Sequence, residues 1–418
     1  MAIVPTGNTV VANDSASVQY NYTPALIAMA VLYFMMGFIT VLNDTLVPFF
    51  KMGFTLTYAQ SSLVQFYFFL TYGVMSIPAG RIVEKIGFKH GMVLGFFIAA
   101  IGALLFFPAA ILNQYYLFLG ALFIIAIGIV LLQVAANPYI TVLGPARTAS
   151  SRLTLIQGIG SIGTTTAPIF GAYFILAGFK ESHASSDAVK YPYLFIAFFL
   201  LFIAFVVFRL KLPAIKPASV PGTAGSQETK SIFSFRNLKF GAWAIFFYVG
   251  AEVAIGTFLT NYISAKINIA ESEANTYVSV YWGSMLVGRF IGSLVLNYIQ
   301  PSKVLTFCAV AALLFIGISI NTTGYLSVYT MLGVGLCNSI MFAIIFSLSV
   351  QGLGSYTTKA SGILSTAIVG GAIISYIQGV LIDEYSWEIA FALPLICYAY
   401  ILFYGINGYK GKLKEEQG

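Results

Sequence analysis

Gln114-Tyr-Tyr-Leu-Phe-Leu-Gly-Ala-Leu-Phe-Ile-Ile-Ala-Ile-Gly-Ile-Val-Leu-Leu-Gln-Val-Ala-Ala-Asn-Pro-Tyr-Ile-Thr-Val-Leu143 carries no charged side chain from one end to the other. The run is far longer than a strand, and as a helix at 1.5 Å per residue it exceeds the ~30 Å of hydrocarbon in a bilayer. It lacks the alternation of an outer-membrane barrel strand. A helix also satisfies its own backbone hydrogen bonds, as lipid demands. The stretch therefore predicts a membrane-spanning helix over 114–143. The pattern recurs at 24–50, 58–83, 91–110, 152–177 and 191–209, then at 238–266, 272–299, 303–320, 324–353, 358–385 and 386–408. An all-α membrane protein with twelve transmembrane helices is expected.

Composition agrees. Hydrophobic residues make up 59% of the 418 and charged residues 8%, with a mean hydropathy of +0.89. A soluble domain carries about 25% charged residues, so this chain has too few to cover a surface facing water. The pI of 9.1 reports topology and not nucleic-acid binding, because the basic residues flank the apolar runs. Cys308, Cys337 and Cys397 fall inside those runs without ligand spacing and read as small buried residues. His90 and His183 sit in loops, so neither a resident metal nor another bound cofactor is expected. No nucleophile–base pair lies at depth, which speaks against a membrane enzyme.

Residues 1–22 are polar, and no basic segment leads into an apolar stretch, so a cleaved signal peptide is not expected. With that tail in the cytoplasm and the chain alternating sides, all but four of the 21 Lys and Arg residues fall on the cytoplasmic side. The exceptions are Lys51, Lys180, Lys190 and Lys266. This segregation predicts a multi-pass protein of the cell inner membrane with both termini cytoplasmic. Residues 210–237 form one long cytoplasmic linker in which Pro213, Pro217, Pro221 and Gly222 break any helix. The chain divides there into two six-helix bundles, 1–209 and 238–418. Gly80-Arg81 followed by Val93-Leu94 is echoed by Gly288-Arg289 followed by Val304-Leu305, an offset near half the chain. Paired halves of this kind are the mark of the major facilitator superfamily. Gly80-Arg-Ile-Val-Glu-Lys-Ile-Gly-Phe-Lys89 resembles that superfamily's loop between helices two and three, with Glu84 for the more usual Asp. Taken alone, the motif also reads as a basic turn at a helix end.

Ionisable groups inside the bilayer cost at least ~2.5–3.5 kcal/mol on insertion scales, so depth sorts the acids. Of the fourteen Asp and Glu residues, only Asp44 in the first span and Glu252 in the seventh lie away from tails, loops and helix ends. Each belongs to the first helix of its half, which places the two on opposite sides of one central cavity. A carboxylate there can take up a proton or serve as a hard oxygen ligand for a sodium ion. It can also pair with an arginine and lock two helices. Arg152 and Arg289 lie near the cytoplasmic ends of their spans, too shallow to neutralise Asp44. Asn43 precedes Asp44, and Pro48 follows within a turn and loosens the backbone. Gln133 and Asn137 are four apart and share a helix face. Gln157, Asn338, Tyr376 and Gln378 add further polar groups in later spans. Each amide can also be interhelical glue worth about 0.6 kcal/mol. Together they suit a ligand with many hydroxyls. Phe66, Tyr67, Tyr281 and Trp282 are aromatic candidates for stacking on a sugar face. Gly370-Gly371 and Gly158-Ile-Gly160 permit close helix crossing.

The runs Asn43-Asp-Thr-Leu-Val-Pro-Phe-Phe50 and Gln133-Val-Ala-Ala-Asn-Pro-Tyr-Ile-Thr-Val-Leu-Gly-Pro145 resemble the fucose:proton symporter family of the major facilitator superfamily. Tyr248-Val-Gly-Ala-Glu-Val-Ala-Ile-Gly256, Asn338-Ser-Ile-Met-Phe-Ala-Ile-Ile-Phe-Ser347 and Gly362-Ile-Leu-Ser-Thr-Ala-Ile-Val-Gly-Gly-Ala372 are similar to its glucose/galactose branch. The resemblance implies a cation-coupled hexose symporter working by alternating access, with Asp44 at the family's coupling carboxylate. It places co-transported Na⁺ or H⁺ at Asp44 and Asn43, with Asp44 the metal ligand if the ion is sodium. Sugar would be held by Asn43, Gln133, Asn137, Gln157, Glu252, Asn338, Gln378 and Tyr376. The fucose carrier has an acid where Gln133 stands, Asn where Gly160 stands and Gln where Glu252 stands, so its two-acid scheme does not transfer whole. Another sugar such as fucose, or a drug:proton antiport that would favour a greasier cavity, are the rival functions. The expected partners are a small sugar, a cation and the lipid bilayer, with the whole pathway inside a monomer. The 28-residue linker and short tails leave no room for a signalling domain.

Overall fold

The structure, a computed structural model, describes residues 22–53, 63–170, 189–210, 212–213, 231–269 and 271–411. Among them the chain forms twelve helical rods. In the first half these are α1 (Thr23–Gly53), α2 (Leu63–Ile86), α3 (Phe88–Leu104, continued by Phe106–Leu112), α4 (Tyr115–Val142), α5 (Ala149–Phe170) and α6 (Lys190–Arg209). The second half has α7 (Arg236–Ile267), α8 (Glu271–Tyr298), α9 (Pro301–Asn321), α10 (Gly324–Asn338 then Met341–Val350), α11 (Thr357–Thr366 then Gly370–Glu384) and α12 (Trp387–Phe403). Each expected span therefore corresponds to a rod. A 3-10 turn, Ala367–Val369, joins the two parts of α11, and a single π-turn, Tyr404–Gly408, extends α12.

Among the described residues, ten of these rods contain a stretch long and apolar enough to cross a membrane by itself. The two halves meet where α2 packs on α11 and α5 packs on α8. Within the halves α1 packs on α5 and α3 on α4 and α6, while α7 packs on α11 and α12, and α9 on α10 and α12. Glycine allows the closest crossings. A Cβ on Gly128 of α4 would lie 2.6 Å from the Ala99 amide nitrogen and 2.6 Å from the Gly95 carbonyl of α3. On the outside, Phe195, Phe198, Phe202, Phe205 and Phe208 of α6 are exposed. Such a belt has no place on a soluble surface and suits acyl chains.

The seam between the halves is closed at the end where α6 stops and α7 starts, here the linker end. Ser150 and Ser347 share a hydrogen bond of 2.5 Å, and Ser151 donates to the Ser293 carbonyl at 2.6 Å. Arg147 donates to the Asn297 carbonyl at 3.4 Å, and Lys359 pairs with Glu84 at 3.2 Å. Proline supplies another tie. Pro138 has no N–H for the Val134 carbonyl one turn earlier in α4, and Ser361 of α11 donates to it at 3.1 Å. Arg152 stays at this end, as expected, donating to the Thr141 carbonyl in the last turn of α4 at 3.0 Å and to the Pro145 carbonyl beyond it at 2.9 Å.

Overpacking of this kind costs about 1–3 kcal/mol or more, so Gly128→Leu is expected to lower the thermal midpoint of the detergent-solubilised protein clearly. Gly120→Ala, which meets nothing within 4 Å, should leave it unchanged or slightly higher. Size-exclusion chromatography after heating checks both, and an unshifted midpoint for Gly128→Leu contradicts the α3–α4 packing.

Candidate functional site: a polar cavity between the halves

A cavity of about 230 Å³ lies between α1, α2, α4 and α5 on one side and α7, α8, α10 and α11 on the other. That is small for a drug-sized ligand and mixed in character. On the first-half wall stand Tyr33, Thr40, Tyr72, Gln133, Asn137, Gln157 and Thr164. Gln133 and Asn137 face it together, as their spacing of four on α4 predicts. Tyr33 donates to the Asn137 amide oxygen, fixing that side chain across from α1. The second half contributes Tyr248, Glu252, Arg289 and Phe342. Glu252 and Arg289 thus bring opposite charges into one space, with the Tyr248 hydroxyl beside the carboxylate.

Arg289 is the feature the sequence placed wrongly. It lines the cavity instead of sitting at a shallow helix end. Its guanidinium donates to the Ser161 hydroxyl of α5 and, at 3.3 Å, to the Ser339 carbonyl of α10. The break between the two parts of α10 explains the second contact. It frees the Asn338 and Ser339 carbonyls from the helical ladder. Tyr248 takes the first at 3.0 Å and Arg289 the second. A lone cation inside an apolar span was the available signal for its role.

Several expected sugar ligands stand elsewhere. Asn338 is fully buried behind the wall, donating to the Tyr281 hydroxyl at 3.0 Å and accepting from Tyr398 at 2.6 Å. It braces the break in α10 and reaches the cavity only through Tyr248. Tyr376 is 75% exposed on the outer face of α11. It and Gln378 are two residues apart, about 200° around a helix, so both cannot face inward. Gln378 is buried inside the second half, and its amide has no hydrogen-bond partner among the described residues. Four residues earlier, Ile374 packs against Gly250 of α7, which turns this face of α11 toward α7 and away from the cavity. Asn43 and Asp44 follow one turn after Thr40 on α1, and their side chains lie outside the described residues.

The aromatic expectations shift similarly. Tyr281 is buried behind the wall, and Trp282 is partly exposed and lies next to Gly256 of α7. The Phe66 side chain lies outside the described residues. On α2 the wall is made by Phe68 and Tyr72, not by Tyr67. The amides, carboxylate, guanidinium and phenols together offer donors and acceptors on opposite walls of a small space, a setting for a compact, hydroxyl-rich ligand.

A sequence profile described as Major Facilitator Superfamily matches residues 29–375. A glucose/galactose transporter of Brucella abortus biovar 1 (strain 9-941) is 48% identical over 415 residues, covering 97% of this chain and 99% of its own. The L-fucose-proton symporter of Escherichia coli (strain K12) is 32% identical over 397 residues, covering 89% and 90%. The crystal structure of the major facilitator superfamily transporter FucP in the outward conformation superposes with a TM-score of 0.83 at 31% identity, over 92% of this chain and 98% of that one. The twelve rods in two halves, the cavity between them and these matches agree: the chain belongs to the major facilitator superfamily, within its fucose:proton symporter family.

Proposed function

We propose that this chain is a cation-coupled symporter that imports glucose- or galactose-type hexoses across the inner membrane by alternating access. The observation that carries this reading is the small cavity shared by both halves, lined by amides on one wall and a carboxylate and a guanidinium on the other. The relatives point the same way, through a glucose/galactose transporter identical at 48% of positions. Sugar hydroxyls would meet Gln133, Asn137 and Gln157 on the first half and Glu252 on the second. Phe68 and Phe342 offer apolar faces to the ring carbons. Asn338 supports the site from behind, and Gln378 and Tyr376 have no proposed contact with sugar in this conformation.

Asp44 is the proposed coupling site, with Asn43 beside it. Tyr33, Met36, Gly37 and Thr40 follow one another along the cavity wall, and the next position in that spacing is Asp44. Occupied by H⁺ or Na⁺, Asp44 loses its bare charge, and closing the bundle around it becomes less costly. Empty, it opposes closure and so prevents leak. With the linker end cytoplasmic, the closed seam there corresponds to a state open to the outside. A monomer contains every group the cycle needs.

Counterflow of labelled glucose, galactose, mannose and fucose in proteoliposomes tests the substrate. Glucose and galactose should exchange fastest, and Gln157→Ala should weaken their apparent affinity about tenfold, the loss of one buried hydrogen bond. Exchange of none of the four sugars would overturn the reading. Asp44→Asn should lose uptake driven by either a Na⁺ or a pH gradient while keeping sugar exchange. Full concentrative uptake by that variant contradicts the coupling role.

A further inference from the structure

A second cavity, of about 420 Å³, opens on the outer surface of the first half between α3 and α6. Val93, Leu94 and Phe97 of α3 face Leu201, Ala204, Phe205 and Phe208 of α6 across it. From His90 to Phe97 it follows about 10 Å of helix. Ala204 explains its depth. The side chain is small and buried, while Phe97, Phe205 and Phe208 on either side stand more than a third exposed as ridges. This groove belongs to neither the seam nor the polar cavity, and no step proposed for transport uses it.

Its mouth is basic. The Lys89 ammonium lies over the Phe208 ring at 5.6 Å from the centroid, and the Arg209 guanidinium over Phe205 at 5.1 Å. Both rings line the groove, so both cations border it at the linker end. His90 lines the same mouth, with its Nδ1 3.1 Å from the Ile86 carbonyl. Among the described residues neither cation pairs with a carboxylate; the ion pairs formed are Lys266–Glu388 and Lys359–Glu84. An apolar channel running along two membrane-crossing helices, with two cations at its mouth that have no carboxylate partner among the described residues, is complementary to one amphiphile. Its tail must be hydrocarbon and its head anionic.

We infer that the α3–α6 groove is a binding site for an anionic phospholipid, one acyl chain lying over Ala204 and the phosphate held between Lys89 and Arg209. The occupant is a lipid and not free phosphate, because the apolar channel contributes contact area that phosphate cannot use. A zwitterionic lipid fills the channel equally well but leaves the two cations without a net negative partner.

Native mass spectrometry of the full chain, released from detergent with phosphatidylglycerol or phosphatidylcholine of identical acyl chains, tests this directly. The wild type should retain phosphatidylglycerol on the order of tenfold better, as two cations near a phosphate provide. Lys89→Gln/Arg209→Gln, a change at the surface, should abolish the preference, whereas Lys303→Gln at the start of α9 should not. Ala204→Trp should reduce retention of both lipids, with Ala204→Leu as the milder filling if the tryptophan variant fails to fold. Equal retention of the two lipids by the wild type overturns the site. So does a preference that survives the double variant, one lost equally in Lys303→Gln, or a shift from lipid-bound monomer to dimer. Competition by inorganic phosphate at equal concentration would also overturn it.

Discussion

Arg289 ties the two halves together at the wall of the cavity, and much of the site's order rests on it. Its guanidinium reaches Ser161 in one half and the Ser339 carbonyl in the other, while its charge faces Glu252 in the same cavity. A fixed cation inside a bilayer needs every donor directed at an acceptor, because lipid supplies none. The break in α10 provides one of those acceptors. Tyr248 takes the neighbouring freed carbonyl and holds its phenol beside Glu252. Asn338 then fixes the break itself through Tyr281 and Tyr398. An irregular backbone, a buried amide and a partly buried charge thus satisfy one another, and the cavity wall is the result.

The seam at the linker end follows the same rule with weaker bonds. It is made mostly of neutral serine contacts, the Pro138-freed carbonyl of Val134 and small residues such as Gly80 and Gly362 that let α2 and α11 touch. Its one described ion pair, Glu84–Lys359, has side chains 33% and 47% exposed. Pairs of that kind are worth at most about 1 kcal/mol, and each neutral bond contributes about the same once water can replace it. A seam built this way is closed and ordered yet cheap to open. That is the property alternating access requires of a gate, and a large apolar interface or a buried ion-pair network would lack it.

The fold was legible because bilayer thickness imposes a length on every apolar run, and twelve runs of that length are hard to mistake. Gln133 with Asn137, Gln157 and Glu252 were legible for a related reason, as polar groups that no lipid-facing surface tolerates. What the sequence could not supply was the direction in which polar residues face once helices depart from regularity. Tyr376 and Gln378 were assigned together although they lie on opposite sides of one turn. Asn338 sits at a break that composition does not mark, and it faces tyrosines contributed by α8 and α12. Arg289 stands well inside α8, and the break in α10 supplies it with a carbonyl acceptor that no apolar-run pattern marks. Tyr33 and Tyr72 escaped notice among 26 tyrosines, because phenols at the wall and phenols in packing look alike in one dimension.

Transport by alternating access requires the linker-end seam to open in every cycle. Cysteines placed at Ser150 and Ser347, where the native hydroxyls are 2.5 Å apart, put two thiols within bonding distance across that seam. The background would carry alanine at Cys308, Cys337 and Cys397, the buried free cysteines of the chain. Sugar uptake and sugar binding would be measured on the oxidised and the reduced protein. The disulfide is expected to abolish uptake while binding persists, and reductant to restore uptake. Undiminished uptake with the disulfide fully formed would contradict that requirement.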